Sequence, residues 1–376
     1  MRDRLRFGEG SIHELTSALQ SLDIEKLMLV VDRPAYSASG AQPIVDRMLP
    51  NYDVRVYADF AWNPKVEDVE RGVRLFCEFR PQALVAIGGG SAIDMAKLIG
   101  FCGRQNTPAK ACVLGRLDHP ADGSPLIAIP TTAGTGSEAT HFAVVYVDKK
   151  KYSLAHDSML PVVAIVDPVL TYSLPAQVTA ATGLDALCQA IESIWAVDAT
   201  DQSMNWAIEA LTLANQHLEE AVNRPSPIAR RAMSRAAYLA GQAINVTRTT
   251  APHALSYALT THFQVPHGIA VALTLADFLA FNSQVDTQTC TDSRGPSAVR
   301  QRIDRIVEIL GGDVAGSQQR LWKIAENIGC PTRLGQVGVR EDDLYWLASE
   351  VNLQRLANNP RVIDTRSLQQ ILQARF

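Results

Sequence analysis

Residues 83–97 read ALVAIGGGSAIDMAK. An unbroken apolar run from Ala83 to Ile87 passes through Gly88, Gly89 and Gly90 into a stretch of helical character that opens at Ser91. Such a run suits a strand buried on both faces, and strand, glycine turn and helix in succession form half of a βαβ crossover. Glycines let backbone approach a ligand closely, and the N–H groups of a helix start favour an anion, so this turn suits a phosphate or pyrophosphate. The spacing is neither GxGxxG nor a lysine-bearing phosphate loop, and three glycines also serve a tight turn with no ligand.

Working outward, the same alternation recurs. Strands are predicted at KLMLVVD (26–32), DVRVYADF (53–60), PLIAIPTT (125–132) and VVAIVDP (162–168). Between the second and third strands, VEDVERGVRLFCEFR (66–80) sets Val66, Val69, Val73, Phe76 and Cys77 along one helical stripe. Residues 1–175 therefore read as an α/β nucleotide-binding domain built on a Rossmann-like parallel sheet. A second loop, IPTTAGTGSEAT (129–140), follows a strand and supplies Thr131, Thr132, Thr135 and Ser137 around Gly134 and Gly136. Hydroxyls and unhindered amides after a strand suit nucleotide oxygens, and two such loops at strand C-termini meet where doubly wound sheets bind ligands. Asp32 ends a strand, where a carboxylate bonds a ribose hydroxyl and repels a 2'-phosphate; this favours NAD over NADP, although Arg33 offsets the repulsion and an N-cap is the alternative role.

After Pro175 the β-rich runs stop, and residues 176–376 read as an all-helical domain. Helices are predicted over 179–196, 203–222, 227–246, 251–263, 268–281, 299–310, 318–328 and 368–376, with a polar loop at 283–298. A ligand cleft is expected between the two halves. With 35 basic against 39 acidic residues and a net charge of -4, the chain offers no general attraction to phosphate backbones or anionic lipid. The N-terminal MRDRLRFGEGSIHEL has no apolar signal core, no apolar run is long enough to span a bilayer, and the expected location is the cytoplasm. Six cysteines without a CxxC pair argue against disulfides and a Cys-based zinc site.

Asp185 and Gln189 in TGLDALCQAIE (182–192) are four apart and share a helix face, while APHALSYALTTHFQVPHGIA (251–270) holds His253, His262 and His267. A carboxylate, an amide oxygen and imidazoles suit Fe or Zn, and histidines satisfied within a core are the alternative. In this order and spacing, GGGSAIDMAK, IPTTAGTGSEAT, TGLDALCQAIE and PHALSYALTTHFQVPHG resemble the iron-containing (group III) alcohol dehydrogenase family over nearly the whole chain. The resemblance implies the two-domain fold shared with glycerol dehydrogenases and dehydroquinate synthase, a homodimer or larger homo-oligomer, and a divalent metal on Asp185, Gln189, His253 and His267. Gln189 departs from the family's usual His. It further implies pyrophosphate on Gly89, Gly90 and Ser91 with Asp94 beside it, Thr131, Thr132, Thr135 and Ser137 along the nicotinamide, and Lys151 reaching the cofactor. Tyr257 stands where many members carry a proton-relay histidine.

Within the family, residues 245–263 look most like the phosphonoacetaldehyde reductase branch, which makes 2-hydroxyethylphosphonate. Arg248, Thr249 and Thr250, just before His253, suit an anionic substrate, although an arginine at this position also complements a helix end. The expected activity is metal-dependent, NAD(P)H-linked reduction of a small anionic aldehyde, with water, the cofactor ribose, Tyr257 and His262 as candidate proton sources. The alternatives are oxidation of another alcohol or sugar-acid hydroxyl, a dehydroquinate-synthase-like lyase, and a metal-free nucleotide-binding protein marked by Gln189.

Overall fold

The computed structural model describes residues 4–105, 107–117, 119–148, 150–351 and 356–376; the first three residues of the N-terminal stretch read above lie outside them. The chain divides into two compact units, Met1–Leu174 and Pro175–Phe376.

The first unit runs β1 Leu5–Phe7, α1 Leu15–Ser21, β2 Lys26–Val31, α2 Arg33–Ala38, α3 Ala41–Met48, β3 Asp53–Tyr57, α4 Val66–Phe79 and β4 Ala83–Gly88. It continues α5 Gly90–Cys102, α6 Ala109–Val113, β5 Leu126–Pro130, β6 Phe142–Val147, β7 Lys150–Ala155 and β8 Val163–Val166. Six parallel strands stand in the order β1-β8-β5-β4-β2-β3, and β6 with β7 makes a separate antiparallel hairpin. Successive strand residues point to opposite faces. Met28, Val30, Leu84 and Ala86 thus join one core with Val69, Phe76 and Ile93, while Leu27, Leu29, Val85 and Ile87 join another with Leu15, Leu19 and Val45. Both faces are covered by helices, which is why these strands read as continuous apolar runs.

On α4 the predicted stripe holds at Val66, Val69 and Phe76, but Cys77 is exposed and Phe79 takes the buried place. The reason is drift: at 3.6 residues per turn, Phe76 and Phe79 continue the buried face and Cys77 leaves it. Neither β1 nor β6 was expected; β1 has three half-buried residues, too few to show a period. At the C-terminal edge Val31 lies opposite Ile87, and Gly88 opposite Pro130, so the strand ends carrying Asp32, the glycine run and the threonine loop stand abreast.

The second unit comprises α7 Ala176–Trp195, α8 Asp201–Asn223, α9 Pro227–Thr247, α10 Ala251–Phe263, α11 His267–Ser283, α12 Pro296–Leu310, α13 Val314–Asn327, α14 Asp343–Ser349 and α15 Thr365–Arg375. It contains no strand among the described residues. Thr200, Ser226, Asp313 and Asp364 cap α8, α9, α13 and α15, each accepting a backbone N–H inside the first turn. The polar loop before α12 is tied inward rather than free, since the buried Asp292 carboxylate pairs with Arg294 and Arg302. α7 packs against α8, α9, α11 and α12, and every residue from Gly183 to Trp195 is buried. Polar side chains inside such a helix must find partners, and those of α7 build the second site below. Among the described residues no helix is long and apolar enough to cross a membrane.

Candidate functional site

In the first unit, the N-cap of α5 is Gly89, which has no side chain to take the helix's first N–H groups. That leaves those donors to solvent or to an anion. The threonine loop folds directly over them. Thr131 N–H donates to the Gly88 carbonyl at 2.9 Å, and a methyl group added at Gly90 would come within 2.7 Å of the Thr135 side chain. Thr132 and Thr135 keep surface open, whereas Thr131 and Ser137 are buried.

Asp94 and Ser137 are expected to face the cofactor, and in the fold they bond each other and the backbone of β6. Ser137 Oγ donates to Asp94 Oδ1 at 2.6 Å and Val144 N–H donates to Asp94 Oδ2 at 2.9 Å. Beneath them Lys97 Nζ reaches the Ser137 carbonyl at 2.7 Å, Ser137 Oγ at 3.0 Å, Thr140 Oγ1 at 2.9 Å and the Phe142 carbonyl at 2.9 Å. Burial pushes Lys97 down to about 8 against the pull of Asp94 and Glu138, and pushes Glu138 up to about 7. Burial also raises Asp94, with Lys97 foremost among the groups that oppose it. Neither Lys97 nor Glu138 is a ligand residue of the sequence motifs; the signal for Lys97 is a lysine set inside the apolar stretch AIDMAKLIGF. Lys151 is half-buried on β7, and its charge acts on Asp94. Asp32 caps α2, its Oδ1 accepting from Ala35 N–H at 3.1 Å, and an added Gly88 methyl would stand 3.2 Å from its Cβ.

In the second unit, α7 presents Asp185 and, one turn on, Gln189, both buried. α10 contributes His253 from its first turn, and residues 264–266, with Gln264 in the left-handed region, double the chain back so that α11 begins at His267. One donor atom from each of Asp185, His253 and His267 lies within 4.8 Å of the others. His253 Nε2 is 3.3 Å from Asp185 Oδ1, and the two imidazole centroids are 5.3 Å apart. Burial disfavours a charged His253, but Glu192 and Asp185 outweigh it and push the imidazole up to about 9. A carboxylate oxygen, two imidazole nitrogens and a neighbouring amide form a mixed oxygen and nitrogen donor set suited to Fe or Zn.

Tyr257 stacks on His267 with centroids 6.0 Å apart and planes 9° apart, so it joins the cluster. His262 does not. Nine residues after His253, it points to the opposite side of α10, where its exposed ring meets Trp346 edge-on at 4.8 Å. Arg248 ends α9 with φ 59° and is exposed, Thr249 is half-exposed, and Thr250 is buried. The Thr250 hydroxyl is committed inward, donating to Glu192 Oε1 at 2.8 Å and accepting from Trp195 Nε1 at 2.9 Å, so it is not a substrate donor. Glu192, which holds it, ends the stretch TGLDALCQAIE, where nothing in its residue type or spacing marks it as a partner of His253.

Family models match both units: iron-containing alcohol dehydrogenase over residues 3–168, and the C-terminal region of the Fe-containing alcohol dehydrogenase family over 179–376. The chain is 35% identical to a phosphonoacetaldehyde reductase from Streptomyces viridochromogenes, covering 98% of this chain and 95% of that one. It is 32% identical to an NAD-dependent methanol dehydrogenase from Bacillus methanolicus, over 97% and 96% of the two chains. Among solved structures, a sulfoacetaldehyde reductase from Bifidobacterium kashiwanohense in complex with NAD+ is similar at 30% identity and a TM-score of 0.88, covering 99% and 96%.

Proposed function

The chain belongs to the iron-containing alcohol dehydrogenase family, and from that premise we propose that it reduces a small anionic aldehyde, phosphonoacetaldehyde, to the alcohol, using a nicotinamide dinucleotide and a divalent metal. The observation that carries the chemistry is the three-donor cluster of Asp185, His253 and His267. The substrate reading draws on Arg248, five residues before His253 with an exposed guanidinium, and on two relatives whose names specify a phosphonate and a sulfonate aldehyde. Both of those substrates carry a tetrahedral anion beside the carbonyl.

Asp185, His253, His267 and Gln189 hold the metal, whose N/O donor set serves Fe or Zn. When bound, the metal supplies Lewis-acid polarisation of a carbonyl oxygen and the dinucleotide supplies the hydride. The N–H groups at Gly89, Gly90 and Ser91 hold the pyrophosphate, with Thr132 and Thr135 turned to the same ligand. Thr131 and Lys151 complete that reading, while Asp94, Ser137 and Lys97 brace the loop from below. Asp32 holds the ribose, which selects NAD over NADP. Arg248 binds the anionic end of the substrate, and Thr249 assists. Tyr257, stacked on a metal donor, carries from Oη the proton that completes the alcohol. The protein acts as a homo-oligomer in the cytoplasm.

The test is the loss of NADH or NADPH absorbance when metal-reconstituted protein meets phosphonoacetaldehyde, with acetaldehyde as the uncharged control. Turnover with the phosphonate and little with acetaldehyde is expected. Arg248→Ala should lower kcat/KM for the phosphonate by roughly 10- to 100-fold, the worth of one charge-assisted contact, and leave acetaldehyde unaffected. The relative named a methanol dehydrogenase favours a second reading, oxidation of an uncharged alcohol. Equal turnover of both aldehydes, insensitive to Arg248, would decide for it.

A further inference from the structure

Glu192 lies on α7 seven residues after Asp185, two turns along the same helix face, and its exposure is 0%. A carboxylate taken wholly out of water is costly unless its lone pairs are filled. Here Oε1 accepts from Thr250 N–H at 2.8 Å, from the Thr250 hydroxyl at 2.8 Å and from His253 N–H at 3.4 Å. Thr250 is the N-cap of α10 and makes no cap bond with its own side chain. Glu192 therefore closes the N-terminus of α10 from α7. Its other oxygen, Oε2, is paired with His253 Nδ1. One carboxylate thus fixes both the start of the helix and the imidazole that the helix carries.

An imidazole that ligates a metal through one nitrogen carries its proton on the other, and the partner of that second nitrogen sets the ring's tautomer and orientation. His253 Nε2 is the nitrogen on the Asp185 side, at 3.3 Å, and Nδ1 is the nitrogen on Glu192. We propose that Glu192 is a positioning residue that holds the His253 proton on Nδ1 and aims Nε2 at the metal. The metal affinity of the site then depends on a carboxylate that does not itself ligate. This inference rests on the reading of Asp185, His253 and His267 as metal donors.

The experiment measures zinc affinity of the full-length apoprotein by competition with a chromophoric chelator. Glu192→Gln keeps the shape and replaces the acceptor facing Nδ1, and roughly 10- to 100-fold weaker zinc binding is expected, the usual cost of losing such a partner. Thr250→Val removes the hydroxyl partner of the same carboxylate and keeps the backbone N–H groups that Oε1 caps, without touching His253, so it separates the loss of a buried hydrogen bond to Glu192 from imidazole orientation. It should lower the melting temperature and leave zinc affinity within about threefold of wild type. Should Glu192→Gln not fold, Glu192→Asp, too short to span Thr250 and His253 together, replaces it with the same direction of change. In zinc-loaded protein, the nitrogen-15 resonances of His253 should report a protonated Nδ1 in wild type and an altered Nδ1 environment in the variant. Zinc affinity within about threefold of wild type in a folded Glu192 variant, or an equal loss in Thr250→Val, would overturn the proposal. His267→Ala is the separate control: if it binds zinc as tightly as wild type, the metal-site reading itself fails, whatever Glu192 does.

Discussion

Three ionisable side chains share the space beneath the threonine loop of the first unit, and their titration follows from where the loop closes. Glu138 is buried, and burial lifts it from 4.5 to about 7. Between those values the folded chain holds a proton that the unfolded chain has lost. The stabilising contribution is complete below pH 4.5 and disappears as pH rises through 7. Lys97 moves the other way, from 10.5 to about 8, so its contribution grows between pH 8 and 10.5, outside the window in which Glu138 titrates. Glu138→Gln mimics the protonated acid. The melting temperature of the variant minus that of wild type should therefore be more positive at pH 8 than at pH 5, by roughly 5 °C. The same difference at both pH values would refute it. None of this was legible in IPTTAGTGSEAT, because a glutamate in a polar loop looks solvated until α5 and β5 pack against it. Asp94, placed beside the pyrophosphate by the resemblance, and Ser137, placed by its loop, bond each other in the fold, a pairing that no local pattern displays.

At the scale of elements, the second site depends on how closely α11 lies on α7. A methyl group added at Gly268 would collide with the Ala181 carbonyl oxygen and come to 2.7 Å from the Asp185 nitrogen and 2.9 Å from its Cβ. Only glycine admits this approach, and it sits directly after His267, so helix packing and ligand placement are a single constraint. Gly268→Ala should cost about 1–3 kcal/mol, the usual penalty of overpacking, and should weaken zinc binding because relief requires Asp185 to move. Urea unfolding and chelator competition read the two effects; a variant with unchanged zinc affinity would show that the ligands do not depend on this contact. The helices themselves were largely visible in advance, since long amphipathic runs with Ser, Thr, Asp or Pro at their starts leave little choice. α14, with seven residues, and β6 were not, because α14 is too short to show a period and FAVVYV is apolar throughout, so the sequence does not display the alternate burial of its residues. Helix 251–263 was read with its observed bounds, yet the turn that brings His267 back over Tyr257 was invisible: a separation of 14 residues does not reveal a reversal.

For the whole molecule, the change of composition near Pro175 marked where the parallel sheet ends and the helices begin, because strands buried on both faces and helices carry different apolar patterns. The donors Asp185, His253 and His267 come from α7, α10 and α11, so local spacing offered them only as candidates beside core histidines, and four motifs in a shared order joined them into one site. The proposed dinucleotide contacts lie within the first unit and the metal donors within the second. Each ligand therefore has its own stabilising effect on the folded state. At a hundredfold excess over its dissociation constant, either one adds about 2.7 kcal/mol. Zinc and NADH should each raise the melting temperature of the wild-type chain. His267→Ala removes a donor from a half-exposed position at the start of α11, where little packing is lost. It should erase the zinc-dependent rise and abolish turnover while keeping the NADH-dependent rise, because Gly89, Thr132 and Thr135 are untouched. A folded variant that keeps the zinc rise or turns over without metal would refute the metal assignment, and one that loses the NADH rise as well would refute the separate placement of the two ligands.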